Sequence, residues 1–363
     1  MSGVLARRSV MAGLAAAPIA LAAVGADQLD PSRPRHLDQA ARVRGRYFGA
    51  AVRADQLGLD TALREAVLNE CGWITPEIHM KWDQLQPRRG EWAFTAADAL
   101  VRFAAQNNLQ VRGHTLLWHQ STPRWVATAL RRRRSWRVIS EHLQEVVLRY
   151  RDHVAVWDVV NEPLDGRVGR HPRPNVFLKA FGPDYVRRSL EEVRDLAPDA
   201  RLAINEYGFE YMNQDEEERR TAFLALLRGL RAQGAPLDEV GLQAHLDLGK
   251  GPTDPAVIKP FMQAIADMGF RISITELDVR ERQFHLPLHE RDRRVADAAR
   301  RYLDIVLECP ALDGVSTWGL ADRYSWLQEI VIRGRRGPNR GLPLDWDFRR
   351  KPLFWAMRDA LSA

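Results

Sequence analysis

Short β-like segments alternate with amphipathic helical stretches along nearly all of this 363-residue chain, and that alternation constrains the fold more than any other feature. Repeated strand–helix–strand units demand a parallel sheet crossed by helices. Eight strands are expected, near Tyr47 to Val52, Trp73 to His79, Gln110 to Leu117, Val154 to Asn161, Arg201 to Glu206, Glu239 to His245, Arg271 to Leu277 and Gly314 to Gly319. The periodic apolar stretches between them read as helices: Ala62 to Glu70, Ala96 to Asn107, Trp136 to Arg149, Tyr185 to Leu196, Glu216 to Ala232, Ala256 to Met268 and Arg291 to Leu307. Gly72, Gly234 and Gly269 each close a helical run shortly before a strand. An irregular, proline-bearing lead from Asp27 to about Arg44 precedes the series, and no linker interrupts it. Eight units in about 320 residues fit a closed (β/α)8 TIM barrel, a single α/β domain, better than an open doubly wound sheet. The open sheet would ordinarily carry a glycine-rich phosphate turn after its first strand. Arg53-Ala54-Asp55-Gln56-Leu57-Gly58 has no such pattern.

With 45% hydrophobic residues, 28% charged and 11 Trp, the chain can bury a large core, which excludes a disordered polymer. Its longest apolar run, Val10 to Val24, is shorter than the roughly 20 residues of a spanning helix, so stable membrane insertion is not expected. That run follows Arg7-Arg8 and ends at Val24-Gly25-Ala26, the layout of a twin-arginine export signal cleaved after Ala26. Residues 1–26 are therefore expected to be a leader and 27–363 the barrel, destined for the periplasm or the exterior. The leader holds two Arg and no acid, so the mature charge is +6 − 2 = +4. This basic balance could signal nucleic acid, with Arg131 to Arg134 as first candidate, but no aromatic-interleaved groove accompanies the run. It reads instead as solvated arginines on a loop or helix start, and the surplus charge as a preference for acidic polymers such as substituted polysaccharides. Cys71 and Cys309 lack zinc-ligand spacing and fall on non-neighbouring units of the barrel, so both are expected as small apolar residues without a bridge.

In such a barrel the working residues gather where strands end. The expected ends supply Glu77; His114 with Trp118 and His119; Asn161 and Glu162; Asn205 and Glu206; Gln243 and His245; Glu276 and Asp278; and Trp318. Glu162 and Glu276 each close a strand that should be buried, where an ionised carboxylate must be paired, hydrogen-bonded or functional. Either alone is compatible with a structural ion pair; together on the fourth and seventh strands they suggest a catalytic pair. Trp118, Trp318 and Trp326 can form flat walls for the apolar faces of sugar rings, although a single Trp is more often core.

Six blocks, in order, resemble the family 10 glycoside hydrolases, whose typical members are endo-1,4-β-xylanases. Glu77 to Trp82 resembles E-N-x-M-K-W, and Arg112 to His119 resembles R-G-H-T-L-x-W-H. Trp157 to Glu162 is similar to the acid/base signature and Gln243 to Leu246 to Q-x-H-L. Ile274 to Asp278 is similar to the nucleophile signature and Trp318 to Trp326 to W-G-x-x-D-x-x-S-W. The resemblance implies a secreted, retaining endo-1,4-β-xylanase with Glu162 as general acid/base and Glu276 as nucleophile. It places Glu77, Lys81, His114, Trp118, Asn161, Gln243, Trp318 and Trp326 around the sugar, and His245 and Asp278 behind the nucleophile. From the residues alone, His245 with Asp278 could equally be a satisfied buried pair, Lys81 a surface lysine and His119 a core hydrogen-bonding group, while Glu206 reads as structural. Two departures stand out: Ile78 where the family motif has Asn, which removes a polar sugar contact, and Gly208 beyond Asn205, where Asn is usual. The implied partner is a β-1,4-linked glycan, xylan first. No cofactor, metal or nucleic acid is implied, and a monomer is expected. The competing classes are a carbohydrate-binding barrel without activity and a metal-dependent hydrolase, and for the latter the chain has no H-E-x-x-H helix.

Overall fold

The computed structural model describes residues 34–164, 172–330 and 337–363; the expected leader, residues 1–26, lies outside them. Eight parallel strands form a closed ring: β1 Tyr47–Val52, β2 Trp73–Pro76, β3 Gln110–Gly113, β4 Val154–Asn161, β5 Arg201–Glu206, β6 Glu239–Leu242, β7 Arg271–Arg280 and β8 Leu312–Thr317. Each pairs with the next, and β8 returns to β1 through Tyr47↔Gly314 to Ala50↔Thr317. The (β/α)8 barrel is therefore the observed fold. Strands in it are buried on both sides, which is why β1 and β6 are covered at every position.

The helices stack outside the ring at the expected places. Asp60 caps Thr61–Glu70 by accepting from the N–H groups of Ala62 and Leu63, Asn213 caps Gln214–Ala232, and Asp254 caps Pro255–Asp267 with Pro at the first helical position. Gly234 and Gly269 leave their helices at φ +67° and +83°, a region costly for a side chain. Gly72 is required for a different reason: a Cβ there would lie 2.4 Å from Oδ1 of Asp38.

Five expectations need correction. The lead is not wholly irregular, because Leu37–Arg42 is helical and buries Leu37, Ala40 and Ala41 against the C-terminal helix Pro352–Ser362. The third strand leaves the ring after Gly113 and resumes only as Leu117–Trp118 beside β4; the sixth leaves after Leu242 and resumes as His245–Asp247 beside β7. The second strand stops at Pro76, short of His79. Arg131 and Arg132 end the helix Arg124–Arg132 instead of starting one. Both cysteines are free, Cys71 buried and Cys309 half-buried. No helix among the described residues is long and apolar enough to cross a membrane.

Polar residues penetrate the ring interior. Arg112 on β3 forks onto Asp158 of β4 with hydrogen bonds of 3.0 and 2.6 Å and reaches Glu239 of β6 at 2.6 Å. All three are almost wholly buried, so each charge depends on the others. Asp158 also accepts from Nδ1 of His114 at 2.9 Å, which links this interior network to the upper rim of the barrel.

Candidate active site

The twelve site residues anticipated from the sequence all line one cavity of about 470 Å³ at the carboxyl ends of the strands: Glu77, Lys81, His114, Trp118, Asn161, Glu162, Gln243, His245, Glu276, Asp278, Trp318 and Trp326. A hollow of similar size, about 460 Å³, lies behind the loop at Leu248 to Gly251, but Asp297 is its only carboxylate among the described residues. Of the two, the first alone brings several carboxyl groups together among the described residues.

Glu276 sits within β7 and is tied on both oxygens. Asn205 at the end of β5 donates to its Oε1 at 2.6 Å, and Nε2 of His245 lies 3.1 Å from its Oε2. Asn205 is itself fixed by Thr275, whose hydroxyl donates to its amide oxygen at 2.7 Å, and it donates onward to Asn161 at 3.0 Å. The other nitrogen of His245 donates to Asp278 at 3.0 Å, and the indole N–H of Trp326 donates to the second Asp278 oxygen at 2.6 Å. Burial opposes the charged forms here, but the two carboxylates outweigh it and push His245 up to about 10. A protonated imidazole donates from both nitrogens. Against the cost of burial, its hydrogen bond and charge, with the charges of His114 and Lys81, hold Glu276 below the usual carboxylate range.

Glu162 is placed differently. It follows the last residue of β4 with its backbone at φ +54°, the left-handed region that side chains rarely adopt. Its peptide N–H donates to the Asn205 carbonyl at 2.8 Å. Gln243 brings its amide to 3.4 Å from Oε1, while Oε2 has His119 Nδ1 at 3.9 Å and Arg173 at 3.6 Å. Burial raises its carboxyl above the usual range, more than the Trp118 indole and the Arg173 guanidinium lower it. The cavity thus contains two carboxyl groups whose surroundings push them in opposite directions, one toward holding a proton and the other toward losing it. That is the condition for dividing acid and base work between like side chains.

The remaining walls combine aromatic faces with charge. Lys81 Nζ lies 4.6 Å from the centre of the Trp118 ring and 5.6 Å from that of Trp318, and burial holds its ammonium below the ordinary value against the pull of Glu276 and Glu77. Burial also lifts Glu77 to about 7, with Lys81 and Arg53 opposing. Ile78 is half-buried beside it and does not line the cavity. Glu206 lies outside the cavity, fully buried, accepting from the N–H groups of Leu164 and Tyr207 and facing Arg219 at 3.3 Å. Burial raises its carboxyl to about 8.

Several participants escape a reading of the sequence. Arg173 lies on the loop after β4, where no periodicity marks it, yet it donates to the Glu162 carbonyl at 3.0 Å and to the Tyr207 hydroxyl at 3.1 Å. Tyr207, Gln120, Asp247, Lys250 and Arg280 extend the cavity wall. Asn205 is visible at its strand end, but its tie between Glu276 and Asn161 requires β4, β5 and β7 to be side by side. Among the described residues no group of His, Cys, Asp and Glu is arranged to hold a metal ion.

The chain is similar to known proteins over most of its length. Residues 36–360 match the model of glycosyl hydrolase family 10. Endo-1,4-beta-xylanase A of Phanerodontia chrysosporium is 33% identical over 328 residues, which is 88% of this chain and 75% of that protein. Endo-1,4-beta-xylanase A of Fusarium oxysporum f. sp. lycopersici is 33% identical over 342 residues, or 90% and 98% of the two chains. In three dimensions the barrel is similar to xylanase 10B of Thermotoga petrophila RKU-1, solved with xylobiose. The TM-score is 0.81 at 29% identity, and the alignment covers 91% of this chain and 98% of that one.

Proposed function

The chain belongs to glycosyl hydrolase family 10, and on that footing we propose that it is an endo-1,4-β-xylanase that cuts xylan internally with net retention at the anomeric carbon. It is a glycoside hydrolase; the polymer, the mode of attack and the residue roles are the further content of this reading. The observation that carries it is the opposite perturbation of two carboxyl groups in one aromatic-walled cavity, Glu162 raised and Glu276 lowered.

Glu276, kept anionic by His245, attacks the anomeric carbon. Glu162, still protonated, passes its proton to the departing glycosidic oxygen. After the leaving chain departs, Glu162 as a carboxylate takes a proton from water, which displaces Glu276 from the sugar. Two inversions retain the configuration, and the geometry this requires is a separation of about 5–5.5 Å between the carboxyl groups. Gln243 supports such closeness, since its amide reaches Glu162 and its carbonyl accepts the Glu276 N–H at 3.0 Å. Asp278 and Trp326 support His245 from behind, and Trp118 and Trp318 supply stacking surface. His114, Lys81 and Asn161 offer polar contacts to the sugar hydroxyls. Residues 1–26 act as an export leader in this reading, and Arg7-Arg8 with the small residues before Asp27 support it.

Release of reducing ends from xylan tests the assignment. Glu162→Gln and Glu276→Gln should each lose at least about three powers of ten in kcat on unactivated xylo-oligosaccharides, since each deletes a group that acts only in the transition state. Proton NMR of the first-formed product should show the β-anomer. Appearance of the α-anomer, or retained activity in either variant, removes the corresponding role.

A further inference from the structure

The run of arginines that the cleft does not use forms part of a second depression. The helices Arg124–Arg132 and Val176–Phe181 border a groove of about 400 Å³ whose polar lining is Arg131, Arg134, Asn175 and Lys179. No carboxylate lines it among the described residues. Arg131 to Arg134 and Lys179 are all exposed, and none takes part in an ion pair among those residues. Neighbouring arginines behave otherwise: Arg137 pairs with Glu141 and Arg187 with Glu191.

Helix polarity explains part of the run. Arg131 and Arg132 close the last turn, where cations suit the helix dipole. Lys179 likewise sits in the last turn of its own helix, but Arg133 and Arg134 lie beyond the helix, and the dipole gives no reason for two helix ends and this pair to gather in one place against like-charge repulsion. One pair of chain neighbours links the groove to the cleft. The groove's edge residue Pro174 directly follows Arg173, which holds the Glu162 carbonyl and the hydroxyl of Tyr207 on the cleft wall.

We propose that this groove is a docking site for the carboxylate-bearing branches of an acidic glycan, the uronic-acid-substituted form of the polymer cut in the cleft. The inference deepens the xylanase reading and rests on it for the identity of the backbone. Nucleic acid suits the groove less, because no aromatic side chain lines it for bases to stack on. A membrane surface suits it less too, since none of the exposed large apolar residues of the described chain lies in it.

Affinity electrophoresis through uronic-acid-substituted xylan, and through the same xylan after carboxyl reduction, tests the proposal in a Glu276→Gln background. The Glu276→Gln protein should bind the acidic polymer at least about fivefold more tightly at low salt, a margin that three exposed ion contacts can supply and that salt should erase. Adding R131Q, R134Q and K179Q together should abolish the difference; these exposed side chains can change without disturbing packing. Equal binding of both polymers by the Glu276→Gln protein, or a preference that survives the triple substitution, overturns the proposal. So does tighter retention on single-stranded DNA or anionic vesicles than on acidic xylan. Turnover of neutral xylo-oligosaccharides by the otherwise wild-type enzyme is read separately. Its absence would refute the xylanase reading, while the binding comparison still decides the groove.

Discussion

Replacing Arg173 by Met should extend activity to higher pH. Its guanidinium lies 3.6 Å from Glu162 Oε2 and favours the ionised carboxylate, while burial favours the protonated acid. Removing the cation raises the carboxyl further, so the proton persists to higher pH and the alkaline fall of kcat/KM moves up. Coulomb's law at this separation, with an effective dielectric of about 20–80, gives roughly 1–5 kcal/mol, or roughly one to three pH units. The acidic limb should stay in place, because on the proposed roles it reports Glu276, whose partners His245, His114 and Lys81 are untouched. Loss of the bonds to the Glu162 carbonyl and Tyr207 should also lower kcat at the optimum by about tenfold or less. The assay is initial rate against pH on an unactivated xylo-oligosaccharide, whose poor leaving group needs the proton. Arg173→Lys keeps the charge and is the control. An alkaline limb that stays fixed in a folded R173M protein, or that moves equally in R173K, refutes the assignment of that limb to Glu162.

Asp278→Asn should make His245 less basic and thereby raise Glu276. The acidic limb of kcat/KM should then move up by about one pH unit, and rate should fall about tenfold or more, as Asn turns an NH2 donor toward either His245 or Trp326 where an accepting oxygen stood. Arg112→Met strands Asp158 and Glu239 without their shared cation. Urea unfolding should show a loss of about 3–5 kcal/mol, and a loss below about 1 kcal/mol would mean water already reaches the pair. Ile78→Asn should shift preference among xylose- and glucose-based β-1,4 chains in a product profile. An unchanged profile would show that the half-buried Ile78 side chain has no part in substrate choice.

The strands are legible where a buried run is bounded by polar residues, as in Val154–Asn161, whose ends are read without error. They are overextended where the chain leaves the ring but keeps β-like composition: in His114-Thr115-Leu116-Leu117 the first three residues lie outside the strand segments, and Thr115 and Leu116 are held to β4 only through the Asp158 carbonyl. Leu37–Arg42 is too short for periodicity to register, and short helices depend on tertiary support, here from Pro352–Ser362 at the far end of the chain. The cavity residues could be read because chemistry-bearing types cluster at strand ends in a barrel. Arg173 could not, since it stands 11 residues beyond Glu162 and only the folded chain brings its guanidinium to the Glu162 carbonyl.

The two central carboxyl groups are mounted in contrasting ways. β7 continues beyond Glu276 as far as Arg280, so that side chain projects from a strand clamped on either hand by hydrogen-bonded neighbours. β4 ends at Asn161, and Glu162 stands just past it at the root of a loop. On the proposed roles, a nucleophile that must meet one carbon along one line gains from such a seat, whereas the acid/base is held through its own backbone, by the Asn205 carbonyl and the Arg173 guanidinium. On those proposed roles, substitution of Arg173 should retune proton delivery while leaving the seat of the attacking group as it was.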